Sequence, residues 1–507
     1  MTERWTRRRV LHTLVAISPL LAGCTVSGSQ QQQQQQALAN ATATPTVGAT
    51  PTVAGTAAAT PSASPGPAAT FTAGGKTALR FGAVGSTAEL DAYDAAAAAY
   101  TKATPNTSIT VERQTGDVAS TLTAALAAGT APDLITVPWD SLAAWANQGA
   151  LDNLTALLGA NNLDLSGDER LLQDFATVNG VTLALPLSYN PRVLYVNSDQ
   201  FAAAGIKAPT DTFDWSAFET AATHLTDGTT HSGFATGTAP FDWLPWVWAA
   251  GGSVFDDDLS PTSCTLTDAP SVSGLQRFAD LWLQHHGAAT PSAAGAGATP
   301  LDGFLKGTAG MIAGDRSTLA SLVPAPFKWQ VTYLLQGPGG HATTYGATLI
   351  AVSKSSRQPI IAGNVAGYLA TDKAAQTLLA KTGIVVPALR SAAESSDFKF
   401  AGAPVDDAVF TRTLLFAYQP PRTAAWTQIQ SAWNPELQKL WAGQQSAADA
   451  AKALAPKVND AIKGVSATPT VQPFAIQPPT PTLAPTAVPT APPTAAPTVA
   501  GTATPVK

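Results

Sequence analysis

Few of the residues able to carry covalent chemistry stand where chemistry would need them. The 507 residues include two cysteines and six histidines. His285 and His286 are adjacent, so on a helix they point in different directions and read as surface rather than as a metal site. No Gly-x-Ser-x-Gly elbow, His-Glu-x-x-His or P-loop occurs. A glycosidase requires two carboxylates converging on one bond, and no spacing brings Asp140 and Asp242 together that way. Asp256-Asp257-Asp258 reads as a solvated turn before it reads as a cation loop. The remaining chemistry is that of binding. Eleven of the twelve tryptophans lie beyond the N-terminal leader. Aromatic faces of that kind pack on the apolar C–H faces of a pyranose ring, while carboxylates and amides take its hydroxyl protons. The composition therefore points to a binding protein that uses no cofactor and no metal.

The elements that would position such residues alternate strand and helix. Leu79 to Val84 reads as a strand, followed by a Ser86-Thr87 cap and an Ala-rich helix from Glu89 to Lys102. Ser108 to Arg113 alternates as a second strand, Val118 to Ala128 reads as a helix, and Asp133 to Val137 as a buried strand. Repeated units of this type predict a mostly parallel sheet covered by helices. Ligands of such sheets sit beyond the carboxyl ends of the strands, which singles out Gly85-Ser86, Gly116-Asp117 and Trp139-Asp140. Trp215, Trp282, Trp433 and Trp441 fall in helical patterns and read as core.

Ala127-Ala128-Gly129-Thr130-Ala131-Pro132-Asp133-Leu134-Ile135 resembles the "aaGtaPDvi" signature of the extracellular solute-binding proteins of ABC importers. In particular it resembles the carbohydrate-binding group that includes maltose-binding protein. Asn147 to Thr155 is similar to the following "G-x-L-x-dLt", and Gly180 to Phe201 to "G-k-x-y-g-l-P…lyYNkdlF". Ala204-Gly205-Ile206 through Asp214-Trp215, Trp248 to Phe255, and Phe304 to Met311 continue the match in order. The resemblance implies an α/β, two-lobe periplasmic-binding-protein-like fold with a hinge, and ligand captured in the cleft between lobes. The solute-binding domain is placed at 77–466, with lobe 1 at roughly 77–185 and 345–390 and lobe 2 at roughly 186–344 and 391–466.

On that resemblance Asp140 falls where maltose-type binders carry a sugar-binding carboxylate, its competing role being a helix cap. Tyr189-Asn190 stand where the chain first enters the second lobe, the alternative being a turn before Pro191. Phe241-Asp242-Trp243 resembles an aromatic cleft segment, with at least one of Trp243, Trp246 and Trp248 expected in the core. Asp315-Arg316 replace an aromatic common in relatives, Arg316 being either a partner of Asp315 or a fork for a ligand. Tyr345 marks the return to the first lobe, and Arg422 leads to Trp426, which resembles a ligand-stacking tryptophan at a helix start. The expected ligand-binding set is Ser86, Asp117, Trp139, Asp140, Tyr189, Asn190, Asp242, Trp243, Asp315, Arg316, Tyr345, Arg422 and Trp426. Rival ligands on the same scaffold are a phosphodiester, which Arg316 and Arg422 keep open, a polyamine, or iron. A cell-surface adhesin is the more distant alternative.

The termini carry targeting signals. Arg4, Arg7, Arg8 and Arg9 precede the short apolar run Val10 to Ala22, too short to cross a hydrocarbon core of about 30 Å. The run ends in Leu21-Ala22-Gly23-Cys24, which resembles the bacterial lipobox. Residues 1–23 then form a signal peptide, and Cys24 carries the lipid that anchors the protein to the membrane. Thr6 to Leu11 also resembles a twin-arginine export signal. Residues 24–76 carry no charge before Lys76 and read as a disordered tether; 467–507, rich in Pro and Thr, reads as a second disordered segment. Four of the 28 basic residues and one of the 34 acidic residues lie in the leader, so the mature chain has a net charge of about −9. It has no basic stripe for nucleic acid. Cys264 is left without a disulfide partner. The expected protein is a lipid-anchored monomer outside the cytoplasm, passing a small-molecule ligand, a sugar in the first instance, to the permease subunits of an ABC transporter.

Overall fold

The computed structural model describes residues 75–155, 165, 170–209, 213–291 and 299–465. The leader, Cys24, the 24–74 part of the tether and the tail from 466 onward lie outside them. No helix among the described residues is long and apolar enough to cross a membrane.

Two sheets form the framework. The strands are β1 (Thr77–Ala83), β2 (Thr107–Arg113), β3 (Leu134–Pro138), β4 (Leu185–Pro191), β5 (Val193–Asn197), β6 (Ser232–Ala235), β7 (Ala309–Gly314), β8 (Trp329–Thr332), β9 (Thr343–Val352), β10 (Val386–Pro387) and β11 (Ala417–Tyr418). The first sheet runs β10-β4-β9-β3-β1-β2, with β11 beside the start of β9; the second runs β8-β5-β7-β6.

Local signals built the first units as expected. Helix α1 (Thr87–Ala103) begins with a capping box: Ser86 Oγ accepts from Glu89 N–H, and the Glu89 carboxylate accepts from Ser86 N–H at 2.9 Å. Helix α2 (Val118–Ala127) is capped by Asp117, whose Oδ1 accepts from Ser120 N–H at 3.2 Å. Both caps follow strands, so β1 is parallel to β2 and β3. The mostly parallel expectation holds only for this half. Strand β9 inserts antiparallel between β3 and β4, making the sheet mixed. Its partners are remote in sequence, and strand order across such distances leaves no local mark.

The second lobe is helix-rich. Helices α3 (Pro240–Ala249) and α4 (Ala269–Leu283) pack closely because position 274 is glycine: a Cβ there would lie 2.3 Å from the Trp246 carbonyl oxygen. The apolar faces of α5 (Trp426–Trp441) and α6 (Ala447–Gly464) join the same core. Trp215, Trp243, Trp246, Trp248, Trp282, Trp433 and Trp441 are all buried in it.

The chain changes sheets at a single residue, Arg192, between β4 and β5. The crossing expected near 185 therefore lies after Pro191. Likewise, the turns Arg390–Ala393 and Ser396–Phe398 pack on the helix Lys373–Lys381, which joins the first lobe's core, so the expected change of lobe at 391 is not observed there.

Candidate functional site

Arg192 is also where the two crossing strands are tied together. Its N–H donates to the Thr344 carbonyl at 2.9 Å, and the Thr343 hydroxyl donates to the Arg192 carbonyl at 2.7 Å. Strand β11 adds a third crossing beside Thr343 and Thr344. The site is built around this junction.

Trp139 leaves the end of β3 half-buried and packs against the cores of both lobes. Its ring meets Phe241, in the first turn of α3, at 5.4 Å and Trp426, the first residue of α5, at 5.3 Å, both edge to face. Trp426 in turn rests on Trp433, and Trp433 on Trp243. One aromatic from the first lobe thus faces two from the second.

The floor under Trp139 follows from strand register. Gly346 of β9 lies opposite Asn190 of β4, and a Cβ on Gly346 would be 3.8 Å from Trp139 Cδ1. Residues directly opposite each other project to the same face, so the Asn190 side chain projects to the face that Trp139 covers. Asn190 Oδ1 is buried there with no hydrogen-bond partner. The turn reading of Asn190 gives way to a strand.

Two carboxylates border the aromatic group. Asp140 is half-buried, accepts from the Ser141 hydroxyl at 3.2 Å, and is raised in pKa by burial. It does not cap the helix Leu142–Asn147, whose N-cap is Ser141 without a side-chain bond. Asp242 is buried and paired with Arg192 at 2.7 Å, while its Oδ2 accepts from Ala239 N–H at 3.0 Å. Arg192 also donates from Nη2 to the Ala313 carbonyl at 3.0 Å. Arg192 was not among the expected residues; the available signal was one charged residue interrupting the apolar run Leu185 to Val196.

Several expected residues are placed elsewhere. Ser86 and Asp117 spend their side chains on helix caps. Tyr189 and Tyr345 are one residue from Asn190 and Gly346, and the period of two turns them to the opposite face, where both are buried in the core. Trp243 is 1% exposed and belongs to the core. Asp315 is fully buried; Thr318 N–H donates to its Oδ1 at 3.2 Å, and burial raises its carboxyl well above the usual range. Arg316 is fully buried as well. Its guanidinium donates to Asp407 at 2.5 Å and to the Phe398 carbonyl, and lies over the Phe398 ring at 3.8 Å.

Arg422 is 7% exposed and spans the two lobes. Nη1 donates to the carbonyls of Phe175 at 2.7 Å and Thr177 at 2.6 Å, beside β4, while Nε donates to Leu259 at 3.2 Å. The Leu259 loop belongs to the second lobe through the Phe255–Cys264 bridge and Cys264 N–H donating to Asn459 of α6 at 2.7 Å. Burial lowers the guanidinium to about 10. Arg422 borders a cavity of about 800 Å³ with Asp174, Asp257 and Arg390.

Residues 85–376 match the family model described as bacterial extracellular solute-binding protein. No curated protein matches significantly. Solved structures do. An ABC substrate-binding protein of Listeria monocytogenes in complex with cycloalternan is 23% identical, with a TM-score of 0.69 over 76% of this chain and 99% of that one. The cyclic alpha-maltosyl-1,6-maltose binding protein of Arthrobacter globiformis is 21% identical, TM-score 0.65, over 77% and 100%. A maltose-bound protein of T. maritima is 20% identical, TM-score 0.64, over 76% and 99%. The two-lobe fold is common to them, and the matched span exceeds half of the sequence: this chain belongs to the bacterial extracellular solute-binding protein family.

Proposed function

We propose that this protein captures a sugar or oligosaccharide between its lobes and delivers it to the permease of an ABC importer, anchored outside the cell membrane by a lipid on Cys24. The observation that carries the reading is the meeting of Trp139 with Phe241 and Trp426 across the lobes, beside Asp140 and Asn190. Flat apolar rings flanked by carboxylate and amide suit a ring with C–H faces and hydroxyl edges. The saccharide ligands of the similar structures favour the same class. Two cations that would have served a phosphodiester, Arg316 and Arg422, are committed to Asp407 and to backbone carbonyls. The protein acts as a monomer, by binding and closure, without covalent chemistry.

The test is a thermal-shift screen of the purified protein against mono- and oligosaccharides, polyamines and phosphorylated polyols. A ligand at a hundred times its Kd adds about 2.7 kcal/mol, which moves the midpoint by a degree or more. A saccharide hit is expected. Silence from every saccharide with a response to spermidine or glycerol 3-phosphate overturns the ligand class while leaving the fold.

A further inference from the structure

Within that saccharide reading, the cleft floor contains a hydrogen-bond deficit with a definite chemical complement. Asn190 Oδ1 and Arg192 Nε are both buried and neither has a partner. Asn190 lies opposite Gly346, on the face that Trp139 covers, and Arg192, the first residue beyond β4, is held at the same junction by Asp242, the neighbour of the Phe241 that meets Trp139. The rest of the Arg192 guanidinium is committed: Nη1 to Asp242 at 2.7 Å and Nη2 to the Ala313 carbonyl at 3.0 Å. Those two bonds fix the plane of the fork and leave the Nε–H direction set by the protein rather than by solvent.

We propose that Arg192 and Asn190 together hold ligand hydroxyl, Arg192 Nε–H donating to it and Asn190 Oδ1 accepting from it, which makes Arg192 a specificity-determining residue of the cleft. The pair consists of one buried donor and one buried acceptor. A hydroxyl group, or two neighbouring hydroxyls, is donor and acceptor at once and satisfies both. A phosphate oxygen answers only Arg192, and an ammonium answers only Asn190; each leaves the other atom buried and unmet, a penalty that a site lined with polar groups turns into discrimination. Asp242 acts through Arg192 as its positioning residue.

The test is calorimetric titration of the full chain with maltose, mannotriose, D-tagatose and cycloalternan, and with inorganic phosphate and spermidine as controls. Arg192→Lys keeps a cation for Asp242 but has no Nε–H fork; it is expected to weaken the saccharide that binds by about tenfold or more, with its thermal midpoint near that of the parent. Asn190→Leu is expected to lose a similar factor, whereas Asn190→Asp keeps the acceptor and stays within about threefold. Parent-like affinity in Arg192→Lys overturns the assignment. If that variant is destabilised, the Asn190 pair decides: equal losses in Asn190→Asp and Asn190→Leu overturn it. A parent protein that ignores every saccharide and binds inorganic phosphate or spermidine overturns the saccharide reading, and the hydroxyl assignment with it, while saccharide binding untouched by Arg192→Lys overturns the assignment alone.

Discussion

Two tryptophans near the junction of the lobes differ in what their loss should do, and the difference tests the site directly. Trp139 is half-buried and touches Phe241 and Trp426 edge to face, at 5.4 and 5.3 Å. Two such pairs contribute about 0.5–1.5 kcal/mol each beyond the area they bury, so Trp139→Ala should cost stability at least about 1–3 kcal/mol. Trp243 is 1% exposed within the core, and Trp243→Ala should cost about 3–5 kcal/mol. Affinity should order them the other way. A sugar face covering roughly 60–80 Å² of the Trp139 ring contributes about 1.5–2 kcal/mol by burial, and the aromatic contact adds about 0.5–1.5. Their sum, about 2–3.5 kcal/mol, is a loss of roughly 30- to 300-fold in Kd. The assay is chemical denaturation together with calorimetry of whichever saccharide the parent binds. If Trp139→Ala falls in stability as far as Trp243→Ala and keeps parent affinity, Trp139 is a packing residue and the reasoning fails.

Two further perturbations follow from buried charge. Arg316→Met leaves Asp407 without its partner at 2.5 Å; a denaturation loss of about 3–5 kcal/mol with unchanged ligand affinity is expected, and weakened affinity at intact stability would restore Arg316 to the site. Asp315 has its carboxyl raised by burial, so above the ordinary carboxylate range the unfolded chain holds fewer protons than the folded one, and stability from this group declines as pH rises from about 4 through the raised value. Asp315→Asn should therefore be relatively more stable than the parent at pH 8 than at pH 5; urea midpoints showing the reverse order would refute the buried, protonated state.

What was legible in the sequence was local. Ser86 announces a helix start and its cap forms through a side-chain bond within three residues, whereas Asp117, read as a ligand residue at a strand end, turns out to cap the next helix in the same way. Trp139 and Asn190 could be placed near a strand end and a lobe crossing by motif order. Their neighbours needed one more step: in a strand only alternate residues share a face, so Asn190 toward Trp139 sends Tyr189 into the core. The arginines were illegible for a different reason. Arg316 is paired with a residue 91 positions away, and Arg422 with carbonyls more than 240 positions back. Nothing in the local pattern distinguishes a guanidinium that will be solvated from one that will be folded around.

The Arg422 contacts bear on how closure is set. Its bonds to Phe175 and Thr177 on one side and Leu259 on the other join the lobes, as do the Trp139 contacts with Phe241 and Trp426. Opening returns the guanidinium and the carbonyls to water, so each bond is worth a net amount of only about 0.5–3 kcal/mol, and the aromatic pairs about 0.5–1.5 each. The rings, moreover, must part to about 7–8 Å to admit a flat ligand in contact with both, since each contact needs about 3.5–4.0 Å. On the proposed reading a ligand would replace the aromatic contacts with its own, and the Arg422 bonds would have to re-form as the lobes closed on it. On that reading the lobes would be biased by the difference between those two sets of contacts, which has to exceed the gap between two arrangements, typically about a few kcal/mol.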